Sequence, residues 1–589
     1  MRSGIEGKCT KSKFMRKEFT LLLAALLLIA LLLPITALRA QDVSNLKGKE
    51  AVSFHGSIGA GMDLYHSNEA YPTRDPFAWN VYGSFAPTIY GFSLPFSFLI
   101  TQYSKSYTQP FTQFGISPSY KWIKLHLGYR SIAFSPLVFD GQSFLGGGVE
   151  LSPKGFYFGA FYGRLNKAVS EDTSFYHTLA PQYARTGYGI KIGVGSLKNN
   201  VSIMVFHAKD DSGSITRVVD SLTTILPQEN SVAGASWHFT FFRHLVFTGD
   251  IAGSLLNRDQ SYQQVDSIGY YKIPMLVQKL MPINYSSVLS YSGQAQLSLL
   301  LKNMNLSAGY RRIQPDFVSL GVPYMLNDLE MFNGNIGTTA NHGRISVNAA
   351  YNSQHNNLSH MLSSTLVTRT GNLALNEFVD RHLNVNLNVT GVQVYQRNGL
   401  LVLSDSVRMN QLMFTATLSP SLNFADEHRQ HTIGASISYT DLDDHNPVTA
   451  AQTGGNNFSS SLNYALFFSQ VYWGLNFTVL YSQYGQLENK YQSTGLNVGA
   501  NAQFLKAHNL VMQGSVGYFL NHDTGSPTGN NLTFSFNTNY GLQNHSLGIY
   551  LNYIVTPPVN LNPLNVINHV PYAVNSKNLA GGVMYAYHF

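Results

Sequence analysis

The chain has a single cysteine, Cys9, in 589 residues, which excludes a disulfide framework and a thiolate metal site. Charge is also scarce. Asp, Glu, Lys and Arg make up 12% of the residues, about half of the ~25% usual in globular proteins. Beyond residue 40 no stretch approaches the ~20 consecutive apolar residues of a membrane-spanning helix, which argues against a helical membrane bundle. Neither a GxSxG elbow nor a phosphate-binding P-loop occurs, and no pair among the 19 His has the spacing of a tight metal site. The formal net charge of +7 is mostly local: residues 1–40 carry seven Lys/Arg and two Glu, so +5 of it sits there. A nucleic-acid partner therefore has no basic face to recommend it.

Aromatic residues are plentiful, at 13%, with 35 Tyr and 36 Phe. The run Leu21–Leu33 contains only Leu, Ala and Ile, follows Arg16 and Lys17, and leads to Ala40-Gln41. It reads as a secretory signal peptide over 1–40, with Met15 as an equally good start. The sole cysteine falls inside it, so lipidation at a cleavage-site cysteine is excluded. Residues 41–50 form a short exported N-terminus. They leave no room for a plug or periplasmic domain before the first strand.

From 51 to 589 the period is two. In "HLNVNLNV", Leu383, Val385, Leu387 and Val389 alternate with Asn384, Asn386 and Asn388; "IKLHLGYR" sets Ile123, Leu125, Leu127 and Tyr129 against Lys124, His126, Gly128 and Arg130. Many such stretches exceed ten residues, whereas soluble strands average ~5–6. Length and alternation together predict an all-β transmembrane antiparallel barrel, apolar outside and polar inside. Tight turns alternate with long polar connections at 167–182, 211–229, 258–284, 314–329, 443–455 and 557–576. Following that alternation gives about 26 strands (24–26), including a weak one at 359–369 that up-down parity requires.

The C-terminal strand places Tyr585, Tyr587 and Phe589 on one face, with Gly581-Gly582 further back. It resembles the signal read by the barrel-assembly machinery of Gram-negative bacteria. The stretches "FLGGGVEL", "YGRLNKAV" and "SLGVPYMLNDLE" resemble large outer-membrane barrels of Bacteroidota-type bacteria. These resemblances imply location in the outer membrane, contact with its lipids including lipopolysaccharide, and handling by the assembly machinery. The chain does not resemble a TonB-dependent transporter.

Strand parity places Lys124, His126, Arg130, Arg185, Lys191 and Arg311 in the lumen, with Asp63, Glu150 and Asp250. Cations exceed anions in this set, which would favour anionic solutes. The preferred reading is that these charges pair across the wall and with inward-folded loops. With strands ~4.8 Å apart and tilted ~40°, 26 of them enclose a backbone diameter of about 50 Å. Something must fill that space: loops 258–284, 314–329 or 557–576, or a lipoprotein or other protein partner. The cluster Asp441, Asp443, Asp444 and His445 could serve acid-base chemistry or hold Ca²⁺, but Asp, Asn and Pro are ordinary turn residues. The expectation is a non-enzymatic, cofactor-free transport, channel or translocation barrel gated by loops or a partner. The alternatives are a surface scaffold or adhesin, and then an outer-membrane hydrolase.

Overall fold

The computed structural model describes residues 52–69, 74–90, 92–102, 113–170, 181–215, 225–265, 267–268, 271–272, 281–406, 408–486, 489–505, 507–524, 526–557 and 575–589. The signal peptide and residues 41–50 lie outside them, as does most of 557–576. The chain divides into a small unit, Met1–Ser53 with Thr88–Tyr90, and a large one, Phe54–Pro87 with Gly91–Phe589. The large unit is the barrel.

Twenty-eight strand segments join one antiparallel sheet. Two staves are each broken in two, giving 26 staves around the closed barrel. One break separates Phe92–Ser93 from Phe96–Thr101, the other Gln113–Ile116 from Ser119–Tyr120. Pro95 and Pro118 sit in these gaps and cannot donate to a ladder; their carbonyls still accept from Ser117 N (2.8 Å) and Leu125 N (2.8 Å). The ring closes where Val52–Ser67 pairs with Ser576–His588, from Ser57 opposite His588 to Ser67 opposite Asn578. Closure leaves no free sheet edge.

The strands are long because alternation is sustained: Ser526–Leu542 has 17 residues, and Leu383–Asn398 and Arg429–Asp444 have 16 each. The weak strand expected at 359–369 is found at Ser364–Phe378, followed by a tight turn at 379–382. The sequence reading places no turn there, although Asp380, Arg381 and His382 interrupt the apolar alternation. Asp380 makes the turn, accepting from Leu383 N (2.7 Å) and His382 N (2.6 Å).

Register fixes which side chains share a face. Asp250, Gln294, Arg311, Met331, Gln354 and Thr368 are successive partners round the sheet, and Thr368 leads on through Val394 and Gln411 to Asp444. The opposite face carries exposed Ile203, Ile251, Tyr291, Phe332, Tyr351, Leu418, Ile437 and Val479. Exposed apolar surface of that extent needs a non-aqueous neighbour. This is a large β-barrel of the outer-membrane type.

Candidate functional site: the lumen wall

The buried core lies on the polar-patterned inner face. Its centre is the connection 131–143, where Leu137, Val138 and Phe139 are fully buried and Ile132 and Phe134 nearly so. They pack on Phe161, Met204, Phe206, Val232 and Ala252, all on the inner face of staves between 156 and 257. The ring of Phe139 lies 4.3 Å from that of Phe161 and 5.3 Å from that of Phe206. A second connection, 314–328, adds Phe317 and Leu320 to the same cluster. Glycine makes the close approach possible: a Cβ on Gly189 would stand 2.6 Å from Phe161 and 2.7 Å from Phe134.

Backbone groups of both segments are paid out to partners on the wall and on each other. Ser319 Oγ donates to Val138 O (2.6 Å), and Asp140 N to Gly321 O (3.1 Å). Asn230, fully buried, accepts from Leu320 N (3.0 Å) and donates to Val318 O (3.3 Å), Leu255 O (3.0 Å) and Ser254 Oγ (2.9 Å). Lys191 Nζ donates to Phe134 O (2.5 Å), and Ser135 Oγ to Asp250 Oδ1 (2.9 Å). Between 317–327, Gln142 of the first connection, Gln182 and the stave residues Asn166 and Arg185 lies a polar cavity of about 310 Å³.

Each of the charged residues singled out from the sequence has a definite place. Lys124, His126 and Tyr157 converge on Glu150 at 3.1, 2.7 and 3.0 Å. Arg185 forms a two-pronged pair with Asp210 at 2.7 and 3.0 Å. Arg311 faces the same inner row as Asp250, whose other oxygen accepts from Gln294 Nε2 (2.9 Å). Arg130 donates to Ser97 Oγ (2.8 Å) and to Gly115 O. Asp63 accepts from Tyr550 OH, across the closing seam. All of these lie between residue 52 and residue 340 or at the seam.

The remaining arc differs. On staves 364–556 the inner face presents Asn, Ser, Thr, Gln and Gly in ladders: Asn372 to Asn388 (3.0 Å), Thr415 to Thr440 (3.0 Å), Thr417 to Ser438 (2.9 Å), Thr478 to Asn463 (2.9 Å) and Ser515 to Ser535 (2.8 Å). Tyr484 and Tyr491 stack there with centroids 6.4 Å apart. Among the described residues, the formal charges on this inner arc are Asp444 and Asp523, each the last residue of its stave. Asp444 is already engaged, accepting from Thr449 Oγ1 (2.7 Å), Thr453 Oγ1 and Asn446 N (3.0 Å).

Sequence reasoning missed Asp210, although the same parity that selects Arg185 would find it. It also missed the segment 131–143, taking its start as the end of a strand 124–134; the observed stave is Ile123–Arg130. The signal was an apolar run outside the alternation, "IAFSPLVF". The cluster Asp441, Asp443, Asp444 and His445 does not converge: Asp444 points to the inner face, Asp441 and Asp443 to the outer, and His445 Nδ1 lies 3.7 Å from Asp443. Loop 258–284 lies partly outside the described residues; its Met281 and Ile283 pack with Leu255, which shares a face with the exposed Ile251. Tyr585, Tyr587 and Phe589 line the seam; Phe589 N donates to Gly56 O (2.9 Å) and its ring sits 5.1 Å from Phe54 and 5.5 Å from Phe85.

No protein-family model matches the chain, and no curated protein does. Solved structures do. The copper transporter OprC is 8% identical with a TM-score of 0.36, over 92% of this chain and 81% of its own. The unliganded ferric citrate transporter FecA is 9% identical with a TM-score of 0.35, over 91% and 78%. A bacterial polysaccharide outer-membrane secretin is 12% identical with a TM-score of 0.27, over 51% and 91%.

Proposed function

We propose that this chain is an outer-membrane transport barrel for a neutral, hydrogen-bonding solute or chain, carbohydrate in class. Passage runs along the arc of staves 364–556, whose inner-face charges among the described residues are confined to Asp444 and Asp523 at stave ends, while the 131–143 and 314–328 segments narrow the opposite side. The observation that carries this reading is the division of one lumen wall into a packed, charge-paired arc and an open-chemistry arc of amides and hydroxyls. Amides and hydroxyls both donate and accept, so they can exchange partners with a passing sugar hydroxyl without holding it by a net charge. A charged solute gains nothing along that wall. It would shed hydration without finding a counter-charge.

Membrane placement rests on the exposed apolar outer face and the sealed sheet. The inserted segments act as the gate, held by side-chain hydrogen bonds rather than by chain connectivity alone. The experiment is single-channel recording and liposome swelling with the purified full-length protein. The reading expects neutral oligosaccharides to permeate faster than anionic or cationic analogues of equal size. Faster passage of an anionic analogue would overturn the solute class, and a barrel that stays closed after removal of both segments would overturn transport.

A further inference from the structure

We infer that the outer wall holds a site for one anionic phospholipid of the leaflet at the short-turn end. The site is a trench of about 580 Å³ on the outward face, lined by Leu245, Leu297, Leu299, Leu306, Ile336 and Tyr351. Register explains why the surface is concave there. One row across the sheet runs Leu297, Ala308, Gly334, Tyr351, so two small residues sit side by side between two large ones. The row nearer the turns runs Leu245, Leu299, Leu306, Ile336, Ala349. Beyond the first row, the outward pair Tyr310 and Phe332 pack with tilted rings, centroids 4.8 Å apart. Its size and apolar lining suit an acyl chain.

The three short turns next to the row Leu245, Leu299, Leu306, Ile336, Ala349 each carry a cation. Arg243 lies two residues before Leu245, Lys302 lies in the 301–303 turn between Leu299 and Leu306, and Arg344 directly precedes the strand that starts at Ile345. The turns are tied together: Leu300 N donates to His244 O (2.8 Å) and Thr339 N to Asn303 O (2.8 Å). All three cations are exposed, and none makes an ion pair among the described residues. Of the acids on the next turn, Asp380 is folded back on its own backbone; Glu377 stands opposite Ile345. An apolar channel ending at three uncommitted cations matches an acyl chain joined to an anionic phosphate head group.

This rests on the membrane reading above, and the two fail separately: a barrel that inserts and conducts but holds no lipid refutes only the site. The test is native mass spectrometry of the full-length protein in detergent, with phosphatidylglycerol or zwitterionic phosphatidylcholine added. One phosphatidylglycerol is expected to be retained at least about tenfold more strongly than phosphatidylcholine. The triple variant R243Q/K302Q/R344Q should lose that preference. The variant A308L/G334L, which fills the trench, should lose the bound lipid while keeping its heat-modifiable gel mobility. Equal retention of the two lipids, retention indifferent to both variants, or a second copy of the chain occupying the trench, seen as a dimer that A308L/G334L dissociates, would overturn the site.

Discussion

Asn230 connects three parts of the lumen wall. It joins stave Glu229–Phe241 to stave Leu245–Asn257 and to the 314–328 segment, with no exposed surface. Replacing it by Leu leaves Leu320 N covered and unpartnered, at about 1–3 kcal/mol, while Val318 O keeps its bond from Ser254 Oγ (2.5 Å). Amide exchange across 318–321 should accelerate by roughly ten- to a hundredfold in the Asn230→Leu protein. Unchanged exchange there means the segment is held by packing alone. Gly189 gives a complementary test. An added methyl would press on two rings that have no room to move, so Gly189→Ala should cost about 1–3 kcal/mol and loosen 132–139. Gly253→Ala, with nothing within 4 Å of the new methyl, is the matched control and should be neutral by chemical denaturation.

At the scale of the element, two short turns are built on carboxylates. Asp380 is held below the usual carboxylate range by the Leu383 and His382 amides, and Asp426 by those of His428 and Arg429. A folded pKa lowered in this way stabilises the turn above the unfolded carboxylate pKa of about 4 and loses that stabilisation as pH falls through the folded value. Exchange protection at Leu383 and Arg429 should therefore be flat from pH 7 down to about 5 and decline on further acidification. In Asp380→Ala the Leu383 amide should be unprotected already at pH 7, with the Arg429 amide unaffected. The staves themselves were legible because an outer apolar row and an inner polar row impose a period of two over ten or more residues. Where one row is short of large residues, as around 359–369, placement slipped by several positions. The inserted segment 131–143 was illegible for a different reason. An apolar run that packs inside a barrel carries no periodicity, and "SPLVFDG" reads as an ordinary turn-rich connection. Its partners are 20 to 190 residues distant in sequence, at Phe161 and Phe317–Gly321.

For the whole molecule, closure and the count of staves follow from alternation and turn parity, but the contrast between the two arcs does not follow from listing charges. Lys124, Arg130, Arg185, Lys191 and Arg311 suggest a basic lumen when tallied alone. In the folded barrel Glu150 and Asp210 take up two of them, and the carbonyls of Gly115 and Phe134 take up two more. The wall left for a solute is the amide and hydroxyl arc, whose inward members were visible in "HLNVNLNV" but carried no charge to draw notice. Coupling between the arcs is then mechanical. Phe139→Ala removes the ring at the centre of the cluster, at about 3–5 kcal/mol, and should raise the open probability of the channel without altering its preference among solutes.

The most direct measurement is single-channel conductance of the full-length protein beside a variant in which 132–142 and 315–327 are replaced by short Gly/Ser linkers. The account predicts a small or intermittent conductance for the intact protein, a several-fold larger and steady one for the variant, and little selectivity between anions and cations in either. A variant that inserts and folds yet conducts no better than the intact protein, or one that becomes strongly anion-selective, would contradict it.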